Sequence, residues 1–353
     1  MKNLSPSQCE QLSTFANCYI EHPQITEIYD ILDQLRFQHS LGADAESFLL
    51  TGEAGSGKSA LIANYLSRFE VYAGSFAAQP VLSTRVPSKV SERNSLMQLL
   101  VDLGQNSGSR PIRNRSEIAL AKGLVTQLKR KSVELIIVNE VQELVEYSSP
   151  QQRQEIANTF KYISEEANVS FVLAGMPYAD ILAEEPQWNS RLTWRRELEY
   201  FKLIRTIRES GKIEYRIDTE KKRHFAMFVA GLASRMGFED KPNLTSNDVL
   251  YPLFAMSKGE PRALKNFLQY ALMQSLQQDA PLDKGILAKA FEQKFKQDKN
   301  PFTMQLDAID LSQIQASSSY NTAATNDEDK LLKPRFSDHL PLSMLLSKKP
   351  LKA

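Results

Sequence analysis

Cysteine is scarce in this chain of 353 residues, with only Cys9 and Cys18, both near the amino end. The pair makes neither a metal-ligand nor a redox spacing, so a disulfide scaffold is excluded and a reducing cytosol is the expected setting. No apolar run approaches 18 residues and no signal-peptide pattern opens the chain, so insertion into a membrane is not expected. Charge of one sign is also missing: 43 basic residues stand against 42 acidic ones, a formal net of +1. No bulk field then commits the protein to nucleic acid, and any such role must come from a local patch. There are no internal repeats. The length accommodates two domains and a tail, each domain able to bury its own core.

What is present is an alternation of elements. Residues 1–40 read as a helical arm for partner docking, because Ile25, Ile28, Tyr29, Leu32 and Leu35 recur at helix spacing just after His22-Pro23. Over 41–218, short apolar runs ("SFLLT", "PVLSTRVP", "VELIIVNE", "VSFVLAG", "LEYFKLI") alternate with helical segments. That pattern predicts an α/β core with a mostly parallel five-stranded sheet covered on both faces. Residues 198–218 alternate on both sides of Ser210-Gly211, as in a β-hairpin. Residues 219–297 are helical only and read as a small helical lid. The segment 298–353 contains "SSSYNTAATNDEDK", which reads as a disordered linker, and ends in an apolar and basic tip (334–353) that reads as a docking peptide. Deleting 318–353 would on that reading spare assembly.

The chemistry starts at Gly52-Glu53-Ala54-Gly55-Ser56-Gly57-Lys58-Ser59, a full match to G-x-x-x-x-G-K-[ST] between a strand and a helix. Glycine permits backbone N–H groups to turn inward around phosphates where a Cβ would obstruct them. The backbone from Gly52 to Ala60 is therefore expected to hold a nucleoside triphosphate, with Lys58 on the β/γ phosphates and the Ser59 hydroxyl on Mg²⁺. The strand "VELIIVNE" ends in Asn139-Glu140. Glu140 suits activation of the attacking water. Asn139 stands where such strands normally carry a magnesium-side aspartate, and an amide brings no negative charge. Competent binding and slow turnover are expected.

Further polar groups surround this pair. The strand "VSFVLAG" ends at Gly175-Met176-Pro177 without a strong polar side chain to sense the γ-phosphate. Arg191, Arg195 and Arg196 stand in "NSRLTWRR", just before the expected last strand, where they can reach a neighbouring copy's triphosphate or form only a solvated face. Lys258-Gly259-Glu260-Pro261-Arg262 opens a lid helix from which Arg262 would report the γ-phosphate. Between 85 and 131, ten basic residues face three acidic ones. Arg85, Lys89, Arg93, Arg110, Arg113, Arg115 and Lys122 are the candidates for sequence-independent contact with DNA phosphates, whereas "LKRKS" reads as a helix end.

Taken together, the phosphate loop, the strand ending in Glu140, the arginines after "EPQWNSRL" and the G-x-P-R helix resemble an AAA+ ATPase over residues 20–297. Within that group, "IIVNEVQEL", "FVLAGMP" and "RLTWRREL" are similar to the TniB/TnsC-type transposition ATPases, a branch that includes regulators from CRISPR-associated transposons. The resemblance implies a bacterial cytoplasmic ATPase using ATP and Mg²⁺. It implies assembly as a ring or helical filament on double-stranded target DNA, linking a target-selection protein of TniQ type to the transposase. In this family pattern Arg195 is favoured as the trans-acting arginine. The runner-up reading is an AAA+ helicase loader or remodelling motor, and a DNA-independent signalling NTPase is a third.

Overall fold

The structure, a computed structural model, describes residues 4–69, 78–105, 115–209, 212–296 and 299–347. Two amino-terminal helices, α1 (Pro6–Asn17) and α2 (Pro23–Ser40), each start on a proline, whose missing N–H costs nothing at a helix start. Five parallel strands follow: β1 (Ser47–Thr51), β2 (Val81–Arg85), β3 (Leu135–Asn139), β4 (Ser170–Gly175) and β5 (Leu192–Glu197), in the order β2-β3-β4-β1-β5. The crossovers are made by α3 (Lys58–Leu66), α4 (Glu92–Asp102), α5 (Glu117–Arg130), α6 (Gln142–Tyr147) and α7 (Pro150–Ala167). Both faces of the central strands are therefore covered, and β1, "SFLLT", is buried at every position. One face packs α2 and α3 through Ile28, Leu32, Leu61 and Tyr65. The other packs α4, α5 and α7 through Leu99, Leu124 and Phe160.

Beyond the sheet, β6 (Ile204–Glu209) and β7 (Lys212–Ile217) pair antiparallel, as the alternation of the sequence predicts. Four helices, α8 (Thr219–Ser234), α9 (Asn247–Ser257), α10 (Pro261–Gln278) and α11 (Lys284–Phe295), enclose a second core around Phe225, Phe254 and Phe267.

Three expectations are corrected. The last strand of the sheet is Leu192–Glu197, not "LEYFKLI". As an edge strand with β1 as its neighbour it tolerates exposed Arg195, Arg196 and Glu197, whereas the more apolar Leu198–Leu203 is buried as an irregular connection. The amino-terminal arm buries its apolar faces within the molecule: Phe15 of α1 enters the helical-domain core, and α2 lies on the sheet. The polar carboxy-terminal segment is an ordered arm. Asp310–Leu311 pairs with Leu340–Pro341, Ile314–Ala316 with Arg335–Phe336, and Ser319–Tyr320 with Leu331–Leu332, all antiparallel. Ile309, Leu311, Leu342 and Leu345 anchor it in the helical-domain core. Gln313 accepts from the N–H groups of Leu203 and Ile204 and donates to the Ile204 carbonyl. A low mean apolarity concealed four anchors at the two ends of a hairpin.

Candidate nucleotide site

The phosphate loop leaves the carboxyl end of β1 and runs into α3. Other helices of the core close their first turn with a serine hydroxyl, as Ser91, Ser116 and Ser149 do for α4, α5 and α7. At α3 the cap is Gly57, with φ 108° and no side chain to accept. The leading N–H groups of α3 thus have no capping side chain, and the helix dipole adds positive potential there. This is a cradle for phosphate. Lys58 Nζ reaches back across the loop to the carbonyls of Gly52 and, at 3.1 Å, Glu53. The Glu53 carboxylate is buried and accepts from the backbone N–H of Ser318 in the carboxy-terminal arm. The Ser56 hydroxyl is buried without a hydrogen-bond partner among the described residues.

A cavity of about 170 Å³ opens above the loop, lined by Lys58, Ser59, Asn139, Glu140, Met176 and Arg262 among others. Burial lowers the Lys58 pKa to about 8, with Glu140 and Glu53 opposing that shift and Arg262 reinforcing it. Below pH 8 the free protein holds the ammonium. Above it, phosphate binding must first take up a proton, because an anionic ligand raises this pKa. Affinity for ATP is therefore expected to be flat from pH 6.5 to 7.5 and to fall by up to about tenfold per unit above pH 8. Titration calorimetry between pH 7 and 9.5 checks this, and a flat profile would contradict it.

The lid meets the loop directly. Arg262 N donates to the Gly55 carbonyl at 3.2 Å, Phe201 N to the Gly259 carbonyl at 2.9 Å, and the Tyr200 hydroxyl to the Ala54 carbonyl. A Cβ at Gly259 (φ 83°) would run into the Phe201 carbonyl, so glycine is required at this junction. The Glu260 carboxylate abuts Gly55, and burial raises its pKa against the opposing charge of Arg262.

A second cavity, of about 270 Å³, continues from Gly55, Gly57 and Ser59 towards Tyr19, Ile20, His22, Phe228 and Leu232. It offers a largely apolar slot adjoining the phosphate loop. His22 packs 5.1 Å from the Phe201 ring and 5.9 Å from Phe228, and burial, aided by His224, holds its pKa down at about 4. It is neutral at physiological pH. Lys265 of α10 ties α1 to the lid by donating to the carbonyls of Ala16 and Cys18, each at 2.7 Å. The slot residues contributed by the amino-terminal segment and α8 were not visible as a site in the sequence, where His22-Pro23 read only as a helix break.

The acidic element is built from three positions. Asn139 Nδ2 donates to Ser83 Oγ at 3.1 Å and to the Thr84 carbonyl at 2.9 Å, so its nitrogen side is committed to β2. Glu140 takes a left-handed backbone conformation, φ 58°, uncommon for a side chain of its size. Gln142, which the sequence reading passed over, donates to Glu140 Oε2 at 2.6 Å.

A family model described as bacterial TniB protein matches residues 14–202, more than half of the chain. The chain belongs to the TniB family. No curated protein matches it. Similar solved structures include the Aeropyrum pernix ORC2 protein in its ADPNP-ADP complexes, with TM-score 0.57, 16% identity, and 81% of this chain and 72% of that one covered. The Aeropyrum pernix ORC1 protein in complex with DNA gives TM-score 0.53 and 16% identity over 80% and 68%. Cdc6p from Pyrobaculum aerophilum gives 0.53 and 13% over 80% and 70%. At these identities the likeness concerns the fold, which is that of the AAA+ ATPases.

In this TniB-family protein the three arginines do not line the cavity beside Lys58. Arg191 is held by Glu165, and Arg196 Nε donates to Glu27 at 2.5 Å. Arg195 is exposed on the edge strand and donates to Asn189 Oδ1 at 3.0 Å. Of the basic candidates, Arg85, Lys89, Arg115 and Lys122 are exposed. Arg93 is engaged with the Arg115 carbonyl at 2.8 Å and with Glu117 at 3.3 Å. Arg110 and Arg113 lie outside the described residues. Among the described residues, no helix is long and apolar enough to cross a membrane.

Proposed function

We propose that this TniB-family protein is an ATP-dependent regulator of DNA transposition that assembles as a homo-oligomer on double-stranded DNA and couples a TniQ-type target-selection protein to a transposase. The observation that carries the reading is the division of positive charge at the site. Lys58 and Arg262 line the cavity of one copy, while Arg195 faces solvent on the edge strand, available to a neighbour. ATP between two copies would then be gripped from both sides, and its hydrolysis, with Glu140 orienting water, would release them. Ser59 would ligate Mg²⁺, and the Asn139 oxygen would accept from a metal-bound water without adding charge, which makes turnover slow. Arg85, Lys89, Arg115 and Lys122 would track phosphates without reading bases.

The test is assembly on a duplex of about 30 base pairs with a non-cleavable ATP analogue. Wild-type protein is expected to form nucleotide-dependent oligomers whose DNA affinity drops steeply, on the order of 10³-fold or more, between 50 and 200 mM salt. Arg195→Ala is expected to bind the analogue within about threefold of wild type while losing assembly. A protein that stays monomeric and free of DNA at saturating analogue would overturn the reading.

A further inference from the structure

Glu140 sits in a turn whose two flanking side chains are bolted to different strands. On one side the Asn139 amide donates into β2 at Ser83 and Thr84. On the other, Gln142 spans from Glu140 to the end of β4: its Nε2 donates to Glu140 Oε2 at 2.6 Å, and its Oε1 accepts from Met176 N at 3.2 Å. The orientation of the Gln142 amide is determined by chemistry, since Met176 N–H can only donate and the Glu140 carboxylate only accept. Gln142 is buried, and Gly175 makes room for it: a Cβ there would lie 2.8 Å from Val141 Cγ2 and 3.0 Å from Gln142 Oε1. Met176 lines the same cavity as Glu140 and Lys58.

We propose that Gln142 is a positioning residue for ATP hydrolysis: its side-chain amide ties the Glu140 carboxylate to the backbone at the tip of β4, fixing one carboxylate oxygen and leaving the other for the attacking water. The inference rests on the assignment of Glu140 as the water-activating group. It accounts for the lack of a polar side chain at Gly175-Met176-Pro177, because the amide that reaches this tip comes from α6. It also accounts for the left-handed backbone at Glu140, which turns the carboxylate towards Gln142 at the expense of ordinary geometry. A short bond from a neutral amide orients the carboxylate while preserving its negative charge. Among the described residues, Glu140 interacts electrostatically with Lys58, from the start of α3, and with Glu143, from α6 itself.

The experiment compares Gln142→Leu, Gln142→Glu and Glu140→Gln in the full-length protein, with nucleotide binding measured separately. Gln142→Leu keeps the volume and removes both bonds; kcat is expected to fall at least tenfold while the KM for ATP changes by less than threefold. Gln142→Glu places a second carboxylate against the first, so the acid limb of the kcat profile is expected to move up by at least one pH unit. A residue out of contact with Glu140 would not move that limb. If Gln142→Leu fails to fold, the pH profile of Gln142→Glu carries the test. Should either folded variant match wild type in kcat and acid limb while Glu140→Gln is inactive, Gln142 has no positioning role and the Glu140 assignment survives. Should Glu140→Gln itself hydrolyse ATP normally, that assignment fails and the role of Gln142 falls with it.

Discussion

A chain ending at Ala308 should lose the cooperative unfolding of its helical domain. The arm that follows supplies Ile309, Leu311, Leu342 and Leu345, each no more than 2% exposed, to the core around Phe254 and Phe267. Burying an aliphatic side chain of this size contributes about 1.5–3 kcal/mol, so four contribute roughly 6–12 kcal/mol. A whole domain is stable by only about 5–15 kcal/mol. The shorter deletion of 318–353, which the sequence suggested would spare assembly, still removes Leu342 and Leu345. Leu342→Ala is the milder form and should destabilise by about 2–5 kcal/mol. Urea unfolding followed by circular dichroism reads both. A truncated protein melting at the full-length midpoint would show that the arm contributes nothing to this core.

Glu140→Gln and Asn139→Asp are expected to move turnover in opposite directions. Removing a positioned general base costs about 10²–10⁴-fold in rate, so Glu140→Gln should nearly silence hydrolysis while leaving ATP affinity intact. Asn139→Asp restores a negative charge beside the metal position and should raise kcat about tenfold, since one pH-unit-sized electrostatic gain is a factor of ten. It does so at a structural cost. An aspartate cannot donate to the Thr84 carbonyl, and leaving that pairing unmade costs about 1–3 kcal/mol. Steady-state phosphate release and thermal melts on the same samples separate the two effects. An Asn139→Asp variant with unchanged turnover would remove the amide as a determinant of the hydrolysis rate.

The elements legible in the sequence share one property: the residues that define them are neighbours along the chain. The phosphate loop is eight consecutive residues, and its glycines, lysine and serine carry their geometry locally. The strand before Asn139-Glu140 and the hairpin about Ser210-Gly211 are equally short-range patterns. The fifth strand misled because exposure at a sheet edge permits arginine, while a buried irregular connection demands leucine and phenylalanine. Apolarity reported burial there, not pairing.

By itself the sequence determined an AAA+ core with its glycine-rich loop, a helical lid opening at Gly259-Glu260-Pro261-Arg262, and the two residues at the acidic strand's end, because backbone conformation and helix periodicity are set by local side chains. Only the tertiary structure decided that Gln142 holds Glu140, that residues between Ala16 and Ile25 wall a slot next to the phosphate loop, and that the polar carboxy-terminal arm belongs to the lid's core. Those contacts join residues as near as Glu140 and Gln142, two positions apart, and as distant as Ala16 and Lys265, 249 apart. Their partners are chosen by burial and by unpaired donors once the sheet has formed, and no spacing along the chain encodes that choice.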